Sequence, residues 1–180
     1  MKEWFAFDIQ TLIWLFLVMF ILHDFEEIIM AERWVQQHSQ RIKEKFPPKL
    51  ANRILNQFSM STAQFAVAVL VVFLLVASST LLASQYVTTG TFGNIHIFLV
   101  IMLVFFLHAF THIAQSTFFQ SVTPGVITSV IIVLPYSTLM IGSLLQQGWI
   151  TWHTIFLCLP FVLVAVPVVL LAHWIGKKFI

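Results

Sequence analysis

Apolar residues fall into five long runs separated by short polar segments: about Ile9–Ala31, Ser61–Gln85, Phe92–Phe118, Pro124–Gln146 and Thr151–Ile175. Each reaches the roughly 20 residues that a helix needs to cross a bilayer core. The pattern therefore predicts an all-α, polytopic membrane helix bundle with five transmembrane helices, and residues 1–180 form one transmembrane domain. An alternative first boundary, Trp4–Leu22, would leave the acids that follow at headgroup level.

Charge then orients the bundle. The connection of residues 32–60 carries Arg33, Arg41, Lys43, Lys45, Lys49 and Arg53, and Lys177 and Lys178 close the chain. From Ile54 to Gly176 there is no Asp, Glu, Lys or Arg. Basic segments stay on the cytoplasmic side, so five spans place the N-terminus outside and the C-terminus in the cytoplasm. Within the basic loop, Pro47-Pro48 can start a short helix with Leu50, Ile54 and Phe58 on one face. Trp34, Trp149, Trp152 and Trp174 sit near predicted span ends, as an interfacial aromatic belt does.

Composition agrees and narrows the chemistry. Hydrophobic residues make up 59% of the chain and charged residues 9%, with a mean hydropathy of +0.95. Those values describe a membrane protein rather than a soluble core. The single cysteine, Cys158, excludes an internal disulfide and a Cys-rich metal site, and reads as a packed free thiol. The first apolar run is long and acids follow it, so it reads as a membrane helix and not a cleaved leader. No phosphate-cradling glycine loop or nucleic-acid-binding pattern occurs, and no nucleotide cofactor is indicated.

The polar residues inside this apolar chain carry the candidate chemistry. His23-Asp24-Phe25-Glu26-Glu27 continues the first run. Each acid costs roughly 2.5–3.5 kcal/mol in lipid, so three uncompensated acids would cost about 8 kcal/mol. No cation in the later runs can pair with them. At 100° per residue, with His23 at zero, Glu27 lies at about +40°, Glu26 at about −60° and Asp24 at about +100°. In the third run, His108, Thr111, His112 and Gln115 follow i, i+3, i+4, i+7 spacing and form one polar stripe.

Depth links the two clusters. From Ile9, His23 is roughly 21 Å and Glu27 roughly 27 Å along the first helix. From Gly93, His108 is roughly 22 Å and His112 roughly 28 Å along the third. Both helices run inward in the five-span arrangement, so the clusters share a level in the cytoplasmic half. His23, Glu27, His108 and His112 make an N3O set suited to zinc or iron. Glu26 and Glu27 are the candidate catalytic carboxylates, with Glu26 as base or as support behind the ligands. Asp24, Thr111 and Gln115 would stand around them, and His173 is the candidate extra ligand.

These residues resemble a bacterial membrane family named for its HxxEE motif, here His23-Asp24-Phe25-Glu26-Glu27. The resemblance extends to a histidine in a later span, matched by His108 or His112. It also includes a Tyr-x-Pro-Gly element at Val122-Thr123-Pro124-Gly125, where Val122 replaces the tyrosine. The family has no settled activity, so the resemblance implies a site without stating its reaction. The intramembrane glutamate proteases also set a Glu pair against histidines, but their Glu-Glu-x-x-x-Arg spacing meets Ala31 here.

Three functions fit the residues. The first is a metal-assisted enzyme of hydrolase or oxidase type, acting on a lipid-like substrate in the cell membrane, with membrane lipids as partners. The second is a metal-free His/Glu acid–base enzyme. The third is a small proton or cation transporter using the same groups. A structural polar network is the remaining, non-functional reading.

Overall fold

In a computed structural model, residues 8–90 and 93–179 are described; Trp4 and Phe92 lie outside them. Among the described residues all regular structure is helical. The helices are α1 (Ile9–Lys45), α2 (Pro48–Phe58), α3 (Thr62–Thr88), α4 (Ile95–Phe119), α5 (Val126–Gln146) and α6 (Trp152–Phe179). The last four are each long and apolar enough to cross a membrane.

The first helix is built differently. It runs 37 residues, apolar in its first half and polar in its second, with the HDFEE acids at the changeover. The basic connection was expected to be a loop, yet Glu32–Lys45 simply continues α1. No Gly or Pro interrupts residues 9–45, and the polar half is rich in Glu, Gln, Arg and Lys, which favour helix. Pro47 then ends it: the residue before a proline avoids the helical region, and Phe46 is extended at φ −124°, ψ 151°.

Pro48 opens α2 at its first position. The inward face of α2 is Ala51, Ile54 and Leu55, packed with Ile42, Phe46 and Phe119. Leu50 and Phe58, expected on that face with Ile54, are each about half exposed. Trp34 stacks on His38 and meets Phe119 edge-on.

Two contacts pin α1 antiparallel to α3. Gln10 Nε2 donates to Ser84 Oγ at 2.5 Å, and Glu32 accepts from the Thr62 backbone at 2.6 Å and hydroxyl at 2.7 Å. The Thr62 hydroxyl, then its backbone N–H, hold the Glu32 carboxyl below the usual carboxylate range. By contrast, α1 and α4 run parallel. Ring contacts rise together along both: Phe16 with Phe98, Phe20 with Phe105, His23 with His108. At the far end α6 packs tightly on α3, where a Cβ on Gly176 would fall 2.3 Å from the Gln64 carbonyl oxygen. Lys177 donates to the Asn56 carbonyl. The C-terminal lysines and α2 therefore share one end of the bundle.

Pro135 and Pro160 each change their helix locally. Pro135 has no N–H for Ile131, and just before it Ser129–Val133 widen into a π turn in which the Leu134 N–H reaches back to Ser129. At Pro160, α6 tightens into a 3₁₀ segment, Leu159–Val164, and regular helix resumes just before Pro167. Tyr136 is buried and donates to the Leu12 carbonyl at 2.8 Å. Cys158 is a buried free thiol.

Candidate functional site

The parallel neighbours α1 and α4 bring four ligand-capable side chains together. His23 and Glu27 share one face of α1, and His108 and His112 share one face of α4, because i and i+4 lie one above the other. Each of the four offers one donor atom, and these atoms all lie within 4.8 Å of one another. Glu27 Oε1 is 2.9 Å from His112 Nε2 and 3.5 Å from His108 Nε2. The two Nε2 atoms are 2.7 Å apart, so one of them donates.

His23 is held from behind, through α5. Glu26 accepts from the backbone N–H of Ile127 at 3.2 Å and of Thr128 at 2.7 Å, and from the Thr128 hydroxyl at 2.5 Å. That hydroxyl proton is committed to the carboxylate, so Thr128 Oγ1 must accept from His23 Nδ1, 2.8 Å away. His23 is thereby fixed with its proton on Nδ1 and its lone pair on Nε2. Nε2 is buried and has no hydrogen-bond partner among the described residues.

His112 is held by the loop between α4 and α5. Its carbonyl accepts from the Thr123 hydroxyl at 3.3 Å. Its ring presses on Gly125, where an added Cβ would fall 2.8 Å from Cε1, and Gly125 has φ +79°. Glycine is required there twice over, by backbone and by space. The Pro-Gly pair noted in the sequence is thus part of the site wall.

The cluster opens on a cavity of about 470 Å³ walled mostly by apolar side chains. Asp24 lies on that wall, with Oδ2 buried and unpartnered among the described residues. Gln115 also lines it. Thr111 does not line the cavity: it is exposed, its hydroxyl donates to the His108 carbonyl at 2.7 Å, and the same oxygen stands 3.5 Å from His108 Nδ1, beside that ligand as expected. His173 lines the same cavity but stands outside the four-donor group, 3.3 Å from Gln57 Nε2. His96 and His153 are exposed. Glu26 faces α5 rather than the cluster, where it can act only through Thr128.

The donor chemistry fits a divalent ion. Three imidazoles and a carboxylate are common ligands of zinc and iron. A metal-bound histidine usually donates its other N–H to a carboxylate or similar acceptor, and His23 does so through Thr128 to Glu26. Two nitrogens on one tetrahedral ion at 2.0–2.1 Å stand about 3.3 Å apart, so His108 and His112 would separate by about 0.6 Å. His108, with 42% of its side chain exposed, has room for that movement.

Sequence reasoning singled out the four donors and missed Thr128, Thr123 and the contact at Gly125. The available signal was a polar residue, Thr128, one turn after Pro124-Gly125 in an otherwise apolar stretch. The family described as a protein of unknown function with HXXEE motif matches residues 14–140. No curated protein and no solved structure matches the chain.

Proposed function

The chain belongs to the HXXEE-motif family, whose description assigns no activity, and from that premise we propose that it is a metal-assisted membrane enzyme of hydrolase or oxidase type acting on a lipid-like substrate. One observation supports this above the others: three imidazoles and a carboxylate converge within 4.8 Å on the wall of an apolar cavity. His23, Glu27, His108 and His112 would hold zinc or iron. A bound ion there would supply Lewis acidity or lower the pKa of a water. Glu26 and Thr128 orient His23. Three donors from α5 engage Glu26, which favours its supporting role behind His23 over a role as base, and Asp24 is the other carboxyl group that lines the cavity beside Glu27.

In the same reading α1 is the fifth span of a bacterial cytoplasmic-membrane protein, with the N-terminus outside and the C-terminus inside. The docking of Lys177 on α2 supports it, since both basic segments then lie on one side. The cluster falls in the cytoplasmic half, and surrounding lipids are the source of substrate.

Elemental analysis of the detergent-purified protein tests the metal. The expected result is about one zinc or iron per chain, lost in His23→Ala, His112→Ala and Glu27→Gln while each variant stays monodisperse. Folded wild-type protein without metal, purified without chelators, would overturn it. One observation favours a second reading: the 2.7 Å contact of two imidazole nitrogens suits a shared proton, as in metal-free acid–base catalysis or a proton relay.

A further inference from the structure

We infer that the substrate is an uncharged, single-chain lipid whose reacting group lies within the chain, with apolar carbon on both sides of the His/Glu cluster. This rests on the proposed enzyme function and narrows its substrate class.

Charge gives the first argument. Among the described residues, the ionisable groups lining the cavity are Asp24, Glu27 and four histidines, and no Lys or Arg reaches it. A phosphate or carboxylate headgroup drawn to the cluster would meet two carboxyl groups and no permanent cation. Like charges in a low-dielectric cavity repel strongly. A divalent ion at the cluster would be offset in part by Glu27, and no Lys or Arg on the cavity wall adds to the attraction that an anion would then feel. An alcohol, an aldehyde or a neutral ester meets no such repulsion, and can hydrogen-bond to Asp24 or Gln115.

Shape gives the second. Residue positions along α1 measure depth at 1.5 Å each. The inner end of the cavity is at Phe16, Val76 and Ile101, seven residues before His23 and so about 10 Å deeper. The contact of Phe20 with Phe73 confirms that this part of α3 is level with this part of α1. In the other direction the wall continues through Trp34 and Ile42 to Phe46, 19 residues past Glu27 and about 28 Å away. There Ile54, Leu55 and Phe58 of α2 line it. The reactive cluster is therefore at neither end, but between two apolar arms. The cavity volume, about 470 Å³, falls in the range of roughly 300–1,000 Å³ typical of a site for one small ligand, which suits one chain rather than a two-chain phospholipid.

Competition binding by native mass spectrometry tests this on the purified full chain, with metal content measured on the same samples. Hexadecan-1-ol is expected to bind at least about tenfold tighter than hexadecanoate. Val76→Phe shortens the inner arm and should weaken hexadecan-7-ol, whose hydroxyl lies within the chain, by about fivefold or more while leaving decan-1-ol, which can lie in the outer arm alone, within about twofold. Ile101→Phe, at the same end, provides the check should Val76→Phe fail to fold. Hexadecanoate binding as tightly as the alcohol would overturn the uncharged class. Equal weakening of both chain lengths, or none in either variant, would overturn the two-armed placement. Metal without chain binding refutes this inference alone, whereas chain binding without metal refutes the metal reading alone.

Discussion

At Thr128 one hydroxyl stands between Glu26 and His23, and its hydrogen bonds determine which imidazole nitrogen faces the cluster. Thr128→Val keeps the side-chain shape and removes that link. It should weaken metal binding by about 10–100-fold, the usual effect of losing a partner behind a ligand, and free His23 to change tautomer. Chelator competition reads the affinity and ¹⁵N-histidine NMR reads the tautomer; Thr128→Ser should restore both. An unchanged His23 spectrum in Thr128→Val would remove Thr128 from the site. Gly125 acts on the opposite ligand. Gly125→Ala places a methyl 2.8 Å from His112 Cε1 at a positive φ, which should destabilise the fold by about 1–3 kcal/mol. A thermal-unfolding midpoint equal to wild type would show that the ring can move aside freely.

Helices place these residues only because their breaks fall in the right positions. The π turn before Pro135 lies directly after Thr128, so the segment that holds Glu26 and the segment that packs Tyr136 on Leu12 are set in separate registers. The sequence marks Pro135 as a disturbance, but whether a proline yields a kink, a π turn or a 3₁₀ segment depends on its packing. Likewise α1 reads as a span followed by a loop, because periodicity fades after Ala31; helix propensity and the absence of Gly and Pro carry it on to Lys45. Beyond the proposed span, Glu32 joins α1 to the start of α3. Its depressed pKa means the folded state binds its proton less readily than the unfolded chain, where Glu titrates near about 4.3. The stabilisation is therefore fully present above that pH and is lost as pH falls through the lower, folded value. The difference in melting temperature between wild type and Glu32→Gln should stay constant above about pH 5.5 and shrink toward zero in stronger acid. A difference that does not vary with pH would assign the effect to packing rather than to charge.

For the whole molecule, the proposed topology predicts opposite accessibility for two exposed positions. In intact cells, an impermeant maleimide should label Gln147→Cys, at the end of α5, and not Gln40→Cys, near the end of α1, until the membrane is opened. Buried Cys158 keeps the background low. Labelling of both positions, or of Gln40→Cys alone, would overturn the orientation. Composition and hydrophobic run length by themselves determined the helical, membrane-type class and the positions of α3 to α6, because bilayer thickness sets a length that any single helix must meet. The sequence also determined which residues share a helix face, since 100° per residue is a local rule; His23 with Glu27 and His108 with His112 follow from it. The count of runs already set α1 and α4 in the same direction; tertiary structure alone decided that they are neighbours with these faces together. It also turned Glu26 toward Thr128, left Asp24 on the cavity wall, gave His173 to Gln57 and kept Thr111 off that wall, beside His108. Those outcomes depend on which helices adjoin and how each is rotated, and both are fixed by side-chain packing between residues distant in the chain.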